Sequence, residues 1–290
     1  MRLDDFDPND IDVGEARGGG GFGGGGGGGG GLLIGLLPLV GSRFGCGGIV
    51  VVLLLLAVFG GLGSLGSLVG GGGGSPISQP SQGPSSVTQV CTSNPNAKSA
   101  CNAFESAQKT WEAIFAREGR QFEKPGLRFF SGSGQSGCGA AQSAMGPFYC
   151  PSDHDIYLDT SFFDELASRF GAKGDFAQDY VIAHEFGHHI QNLLGRSARG
   201  NEQSVRLELQ ADCYAGVWAA NNRDRLDPGD VQEGLTAAHA IGDDTLQQET
   251  QGRVVPDSFT HGTSAQRMKW LKRGIDTGDP AQCDTFSGSI

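Results

Sequence analysis

The stretch Val181-Ile182-Ala183-His184-Glu185-Phe186-Gly187-His188-His189-Ile190-Gln191 holds an H-E-x-x-H pattern, with His184 and His188 one helical turn apart. Side chains at i and i+4 leave a helix on the same face, so two imidazoles can converge on one metal ion. Glu185 lies next to the first histidine, where its carboxylate can reach an activated water without taking the metal. Two ligands, a water and a general base are the apparatus of metal-assisted hydrolysis. The surroundings read as a helix. Asp175 offers a cap, Phe176, Tyr180, Val181, Phe186, Ile190 and Leu194 give apolar faces, and Gly195 offers an end. Gly187 inside that helix costs about 1 kcal/mol against Ala, so a close neighbour is expected there, either a packed strand or substrate.

Catalytic zinc usually takes three protein groups and keeps one position open. The third comes from Leu207-Glu208-Leu209-Gln210-Ala211-Asp212-Cys213, inside a helical pattern from about 201 to 220. Glu208 and Asp212 are again i and i+4. Glu208 can ligate zinc, while Asp212 accepts a hydrogen bond from the far nitrogen of a ligand histidine and fixes its tautomer. His189 stands about 140° around the helix from His184 and is therefore excluded from the same metal. Cys213 bears the same relation to Glu208. A packing or hydrogen-bonding role suits His189, and a disulfide suits Cys213.

With these motifs in place, a family resemblance follows. HEFGHHIQ, then ELQADCYAG, with GPFYCPSDHDIYLD before them and DSFTHGTSAQR after, resembles the bacterial neutral zinc metallopeptidases, from about Cys91 to Cys283. The resemblance implies an α-rich α+β domain of the zincin type, with a glutamate as third ligand. His184, Glu185, His188 and Glu208 match that arrangement. It also implies a substrate-pairing edge strand above the metal, for which Ile156, Tyr157 and Leu158 are the candidates, with plain structural sheet as the alternative. Members carry a similar Thr-His-Gly before their last helix, so His261 becomes a candidate donor to an oxyanion, or else a structural loop histidine.

Outward from the motifs, the chain divides into four parts. Residues 1–46 begin acidic and dissolve into glycine, a composition expected to give a disordered tail with no specific role. Residues 47–69 form an uncharged run of about 23 residues, long enough for a single transmembrane helix. Small residues at Gly60/Ser64, Gly63/Ser67 and Gly66/Gly70 would permit a homodimer through that helix. Residues 70–89 are a Gly/Ser/Pro linker, and residues 90–290 form the metallopeptidase domain. Arg2, Arg17 and Arg43 precede the apolar run and no cation follows it until Lys98. The tail is therefore expected in the cytoplasm and the domain outside the bacterial cytoplasmic membrane.

Seven cysteines agree with export. Cys46 abuts the apolar run, whereas Cys91, Cys101, Cys138, Cys150, Cys213 and Cys283 fall in the domain, without the C-x-x-C pairs of a zinc cluster. Six cysteines allow 15 connectivities. Short loops and the family resemblance favour Cys91–Cys101, Cys138–Cys150 and Cys213–Cys283. Helices are expected near 97–118, 161–170, 227–241 (capped by Asp227 with Pro228 first) and from the 257–263 loop to about 275. Strands are expected at 126–131, 148–149 and 156–158, with 131–145 as a loop.

A net charge of −11 with no basic stripe excludes nucleic-acid partners. The sequence thus supports a membrane-anchored, zinc-dependent peptidase with peptide or protein substrates, one Zn²⁺ per chain, and Glu185 as base. Two other readings use the same residues. One is a catalytically silent zinc-stabilised binding module, for which Glu185 would be superfluous. The other is a zinc amidase acting on cell-envelope material.

Overall fold

A computed structural model describes residues 1–16 and 86–290 of the chain. Strand β1 (Asp12–Glu15) belongs to the amino-terminal arm, and the domain opens with helix α1 (Val87–Cys91). Ser86 and Gln89 form a reciprocal capping box at α1, so regular structure begins inside the expected linker. Helix α2 (Pro95–Arg117) follows, capped by the Asn94 side chain on the Ala97 amide. Its Ala100, Phe104, Ala107, Trp111 and Phe115 are buried as their helical spacing predicts.

Next come the strands: β2 (Gly126–Phe129), β3 (Ser133–Ser136), β4 (Gly139–Gln142), β5 (Phe148–Cys150) and β6 (Asp155–Leu158). One sheet has the order β1-β2-β6-β5, with β1, β2 and β6 parallel and β5 antiparallel to β6. A separate β3–β4 hairpin occupies the expected 131–145 loop. Six α-helices follow among the described residues: α3 (Ser161–Ser168), α4 (Asp175–Leu193), α5 (Asn201–Asn221), α6 (Asp230–Ala240), α7 (Asp243–Gln251) and α8 (Ser264–Thr277). The fold is therefore mixed and α-rich.

Helix α4 carries the H-E-x-x-H pattern and is buried on nearly every face, between the sheet, α2, α5 and α6. Phe176 stacks on Trp218 of α5, and Phe186 meets Phe104 of α2 edge-on. The visitor at Gly187 is neither strand nor substrate. A Cβ there would lie 3.0 Å from both the Cα and the carbonyl oxygen of Ala211, so the glycine lets α5 approach and brings Glu208 toward the histidines. Helix α5 is held from its other side by α8, where Gly216 and Gly274 face each other with no room for a side chain.

Several boundaries differ from expectation. Gly174, not Asp175, occupies the cap position of α4, with φ at 121°. Helix α6 starts after Gly229 in the left-handed region, leaving Pro228 outside, while Asp230 accepts from the Asp227 amide. Helix α7 was not anticipated.

The largest correction concerns the acidic amino terminus, which was expected to be disordered throughout. Residues 1–16 run along the domain, with Met1, Ile11 and Val13 buried and β1 paired to β2 from Asp12↔Gly126 to Glu15↔Phe129. These apolar residues are too few to read as a core segment. Their partners lie more than 90 positions away.

All three disulfides join the expected cysteines: Cys91–Cys101, Cys138–Cys150 and Cys213–Cys283. The transmembrane run at 47–69, its pairing face and Cys46 lie outside the described residues. Among the described residues, no helix is long and apolar enough to cross a membrane.

Candidate metal centre

Helices α4 and α5 bring His184, His188 and Glu208 together, each offering one ligand atom, all within 4.8 Å of one another. Nε2 of His184 lies 3.2 Å from Oε2 of Glu208, and Nε2 of His188 lies 3.6 Å from Oε1 of the same carboxylate. The opposite nitrogens are occupied. Nδ1 of His184 meets Oδ1 of Asp212 at 2.8 Å, and Nδ1 of His188 meets Oε1 of Gln191 at 2.8 Å. With Nδ1 of each ring engaged outward, both Nε2 atoms face a common point beside a carboxylate, where they would offer lone pairs to a metal that displaces their protons. Two imidazoles and one carboxylate form a donor set suited to zinc.

The support behind this triad is deeper than Asp212 alone. Arg267 of α8, fully buried, donates to both oxygens of Asp212 at 2.9 Å, and the Tyr180 hydroxyl donates to Oδ1 at 2.6 Å. Burial pushes the Asp212 carboxyl up, but Arg267 and His184 overcome it and hold the group at about 2. Burial disfavours charge on His184, yet Asp212 and then Glu208 outweigh it and lift the ring to about 9. Burial likewise opposes charge on Glu208, and His188, His261 and His184 more than compensate, leaving it below the usual carboxylate range. Electrostatics therefore keep both carboxylates ionised.

Glu185 lines the same cavity as the triad, of about 690 Å³. Its Oε2 is buried without a hydrogen-bond partner among the described residues. His261 also lines that cavity. The carboxylate of Asp243 fixes its loop, accepting from the amides of Thr260 (2.7 Å), His261 (2.6 Å) and Gly262 (3.1 Å), with Nδ1 of His261 3.1 Å away. Burial works against a charged His261, but Glu208 and Asp243 prevail and raise its pKa.

His189 lies outside the triad. Its Nε2 meets the Glu123 carbonyl at 2.7 Å and its Nδ1 the Tyr149 hydroxyl at 3.1 Å, while burial lowers the ring to about 4. Cys213 is in its disulfide. Ile156, Tyr157 and Leu158 require correction. They lie in β6, a buried inner strand paired with β2 along its length and with β5 at Ile156 and Tyr157, so those two residues offer no ladder edge to substrate, while Leu158 is fully buried. Of the two edge strands, β1 and β5, it is β5 whose Phe148 and Tyr149 line the cavity. Tyr149 ties it to α4 through His189 and through Asn192 at 2.9 Å.

Four contributors were missed, Gln191 beside His188 among them. Tyr180 precedes His184 by one turn on the same face, a signal read only as apolar patterning. Arg267 sits in the quoted SAQR segment without an assigned partner. Asp243 had no local signal, because what it holds lies 17 to 19 positions later.

Comparison with known proteins points the same way. The model of a family described as putative neutral zinc metallopeptidase matches residues 7–286. The chain is 54% identical over 197 residues to the uncharacterized protein YpfJ of Escherichia coli K12, covering 63% of this chain and 69% of that one. It is 48% identical over 188 residues to the uncharacterized protein Rv2575 of Mycobacterium tuberculosis H37Rv, covering 58% of this chain and 64% of the relative. No solved structure gave a significant match.

Proposed function

The chain belongs to the putative neutral zinc metallopeptidase family, and from that premise we propose that it is a zinc-dependent peptidase with Glu185 as general base. One observation carries this reading: both Nε2 atoms and the Glu208 carboxylate converge, and the cavity these three residues line is also lined by Glu185, whose Oε2 has no hydrogen-bond partner among the described residues. A silent zinc-stabilised module would have no use for a base in that position.

His184, His188 and Glu208 would hold the zinc, and zinc there supplies a Lewis acid that acidifies water and polarises a carbonyl. Glu185 accepts the proton of the attacking water and returns it to the leaving amine. His261, oriented by Asp243, donates a hydrogen bond to the oxygen that gains charge as the carbonyl becomes tetrahedral. Asp212, held by Arg267 and Tyr180, fixes the tautomer of His184. The edge strand β5 supplies main-chain groups along which an extended peptide can align, and Phe148 and Tyr149 present apolar surface beside it.

The test uses the full chain with a peptide library, with and without a chelator, alongside metal analysis. Cleavage should disappear with chelator and return with zinc. Glu185→Gln should keep its zinc and lose about 10²–10⁴-fold in rate. Retention of most activity in zinc-loaded Glu185→Gln would remove Glu185 as the base.

A further inference from the structure

Four of the six acidic residues of the arm are matched by cations of the domain surface. Asp4 pairs with Arg225 at 2.6 Å, Asp5 with Lys98 at 2.8 Å, Asp10 with Lys124 at 2.8 Å, and Asp12 with Arg128 at 2.6 Å. Exposed pairs of this kind add little to stability, because water and salt screen them. Their value lies in register, because four cations from separate parts of the domain are satisfied by one placement of the arm. Arg128 is the best-built member, forked onto both oxygens of Asp12 while its Nε donates to Asp155 at 2.8 Å.

Backbone groups are matched too. The amides of Phe6 and Asp7 donate to Asn102 and Glu105 of α2, and Gln108 donates to the Asp10 carbonyl at 2.9 Å. Beyond β1, the Ala16 amide donates to the Phe129 carbonyl at 2.7 Å. Beneath these bonds Ile11 and Val13 are buried in the domain core. The arm is a strand of the sheet, not a tail resting on it.

That placement bears on topology. The hydrocarbon core of a bilayer is about 30 Å thick, whereas β1 and β2 are hydrogen-bonded neighbours. We propose that residues 1–16 and 86–290 occupy the same side of any membrane the protein meets. An arm in the cytoplasm with the domain outside the membrane would be incompatible with this pairing. Exchange of arms between copies does not relax the conclusion, since every copy shares one topology. The orientation signal also thins, because Arg2 is engaged by Asp227 at 2.9 Å and donates its amide to the Arg225 carbonyl. The inference stands apart from the peptidase reading.

Full-length chain carrying Cys46→Ser and either Asn9→Cys or Lys272→Cys would be expressed in bacteria. Spheroplasts and lysed cells would then be treated with a membrane-impermeant maleimide. Both substituted positions are exposed, one on the arm and one on α8. The two thiols should respond alike, both reacting in spheroplasts or both only after lysis. One reacting in spheroplasts and the other only after lysis overturns the proposal. Hydrogen exchange of the purified full chain provides the second arm of the test. Amides of residues 12–16 should exchange more slowly than in an unstructured peptide, by on the order of tenfold or more. Arg128→Ala should erode that protection. An unprotected arm overturns the proposal regardless of the labelling.

Discussion

Asp243 holds the loop of His261 with a single carboxylate, three amides and an imidazole on two oxygens. It reaches neither triad nor substrate, so it acts as a positioning residue. Asp243→Asn removes the charge and turns an amide group toward donors. We expect a loss of stability on the order of 2 kcal/mol and a fall in kcat of roughly tenfold to a hundredfold, with zinc content unchanged. The pH dependence has a definite sign. Burial opposes ionisation of Asp243, but His261 and the loop amides hold its pKa below 3.8 in the fold. The unfolded chain therefore binds the proton first as pH falls. Stability from this group is complete above about pH 4 and is lost as pH drops through the folded pKa. Urea titrations from pH 5 to pH 2 should show a shallower decline for Asp243→Asn than for the parent. An unchanged slope would mean that Asp243 titrates as in an unfolded chain. The histidine pair was legible from spacing, because helical periodicity places i and i+4 together whatever the tertiary fold, whereas Glu208 came from the second motif and reaches the pair through the packing of α5 on α4. Asp243 was not legible, since its partners are united only by the packing of α7 beside the last loop.

Between elements, the decisive contact is the crossing of α5 and α8 at Gly216 and Gly274. In an isolated helix, Ala is better than Gly by about 1 kcal/mol. Here a Cβ on Gly216 would overlap the Leu271 carbonyl, and one on Gly274 would overlap the Cys213 carbonyl. Backbone cannot swing aside as a side chain does, so overpacking reverses the sign, and each Ala should destabilise by about 1–3 kcal/mol. Gly187→Ala, with its closest approach at 3.0 Å to Ala211, should be milder in stability. It should nevertheless weaken zinc binding, because it pushes α5 and hence Glu208 away from α4. Thermal melts paired with zinc titration would separate the two, and equal zinc affinity in Gly187→Ala would argue against this geometry. The long helices could be read from their apolar faces. The β3–β4 hairpin could not, as Ser133-Gly134-Gln135-Ser136 has no alternating apolar pattern to mark it. The buried position of β6 was equally hidden, because its outer neighbours are set by where β2 and β5 come to lie.

Over the whole molecule, the disulfides distribute their constraint unequally. Cys91–Cys101 and Cys138–Cys150 close segments of 10 and 12 residues, whereas Cys213–Cys283 closes 70. Loop-closure entropy in the unfolded chain grows with the logarithm of that length, giving about 3 kcal/mol for each short loop and about 4 kcal/mol for the long one. The long bridge also sits one residue after Asp212 and anchors the carboxyl-terminal tail to α5. That tail is held there by other bonds as well: Thr285 donates to the Arg206 carbonyl at 2.6 Å, and Gln210 donates to the Cys283 carbonyl at 2.9 Å. Because these bonds survive removal of the sulfurs, a Cys213→Ala/Cys283→Ala variant should fold to the same structure and keep its zinc. Its deficit should appear in the unfolded reference state, as a lower urea midpoint with a somewhat larger m-value, since the uncrosslinked chain exposes more surface. Cys91→Ala/Cys101→Ala should cost less and change m less. Equilibrium urea unfolding of the full chain, zinc-loaded and at fixed zinc concentration, separates these effects from metal linkage. Should the short bridge prove costlier than the long one, loop entropy is not what these crosslinks contribute, and the native packing around α1 would have to account for the difference.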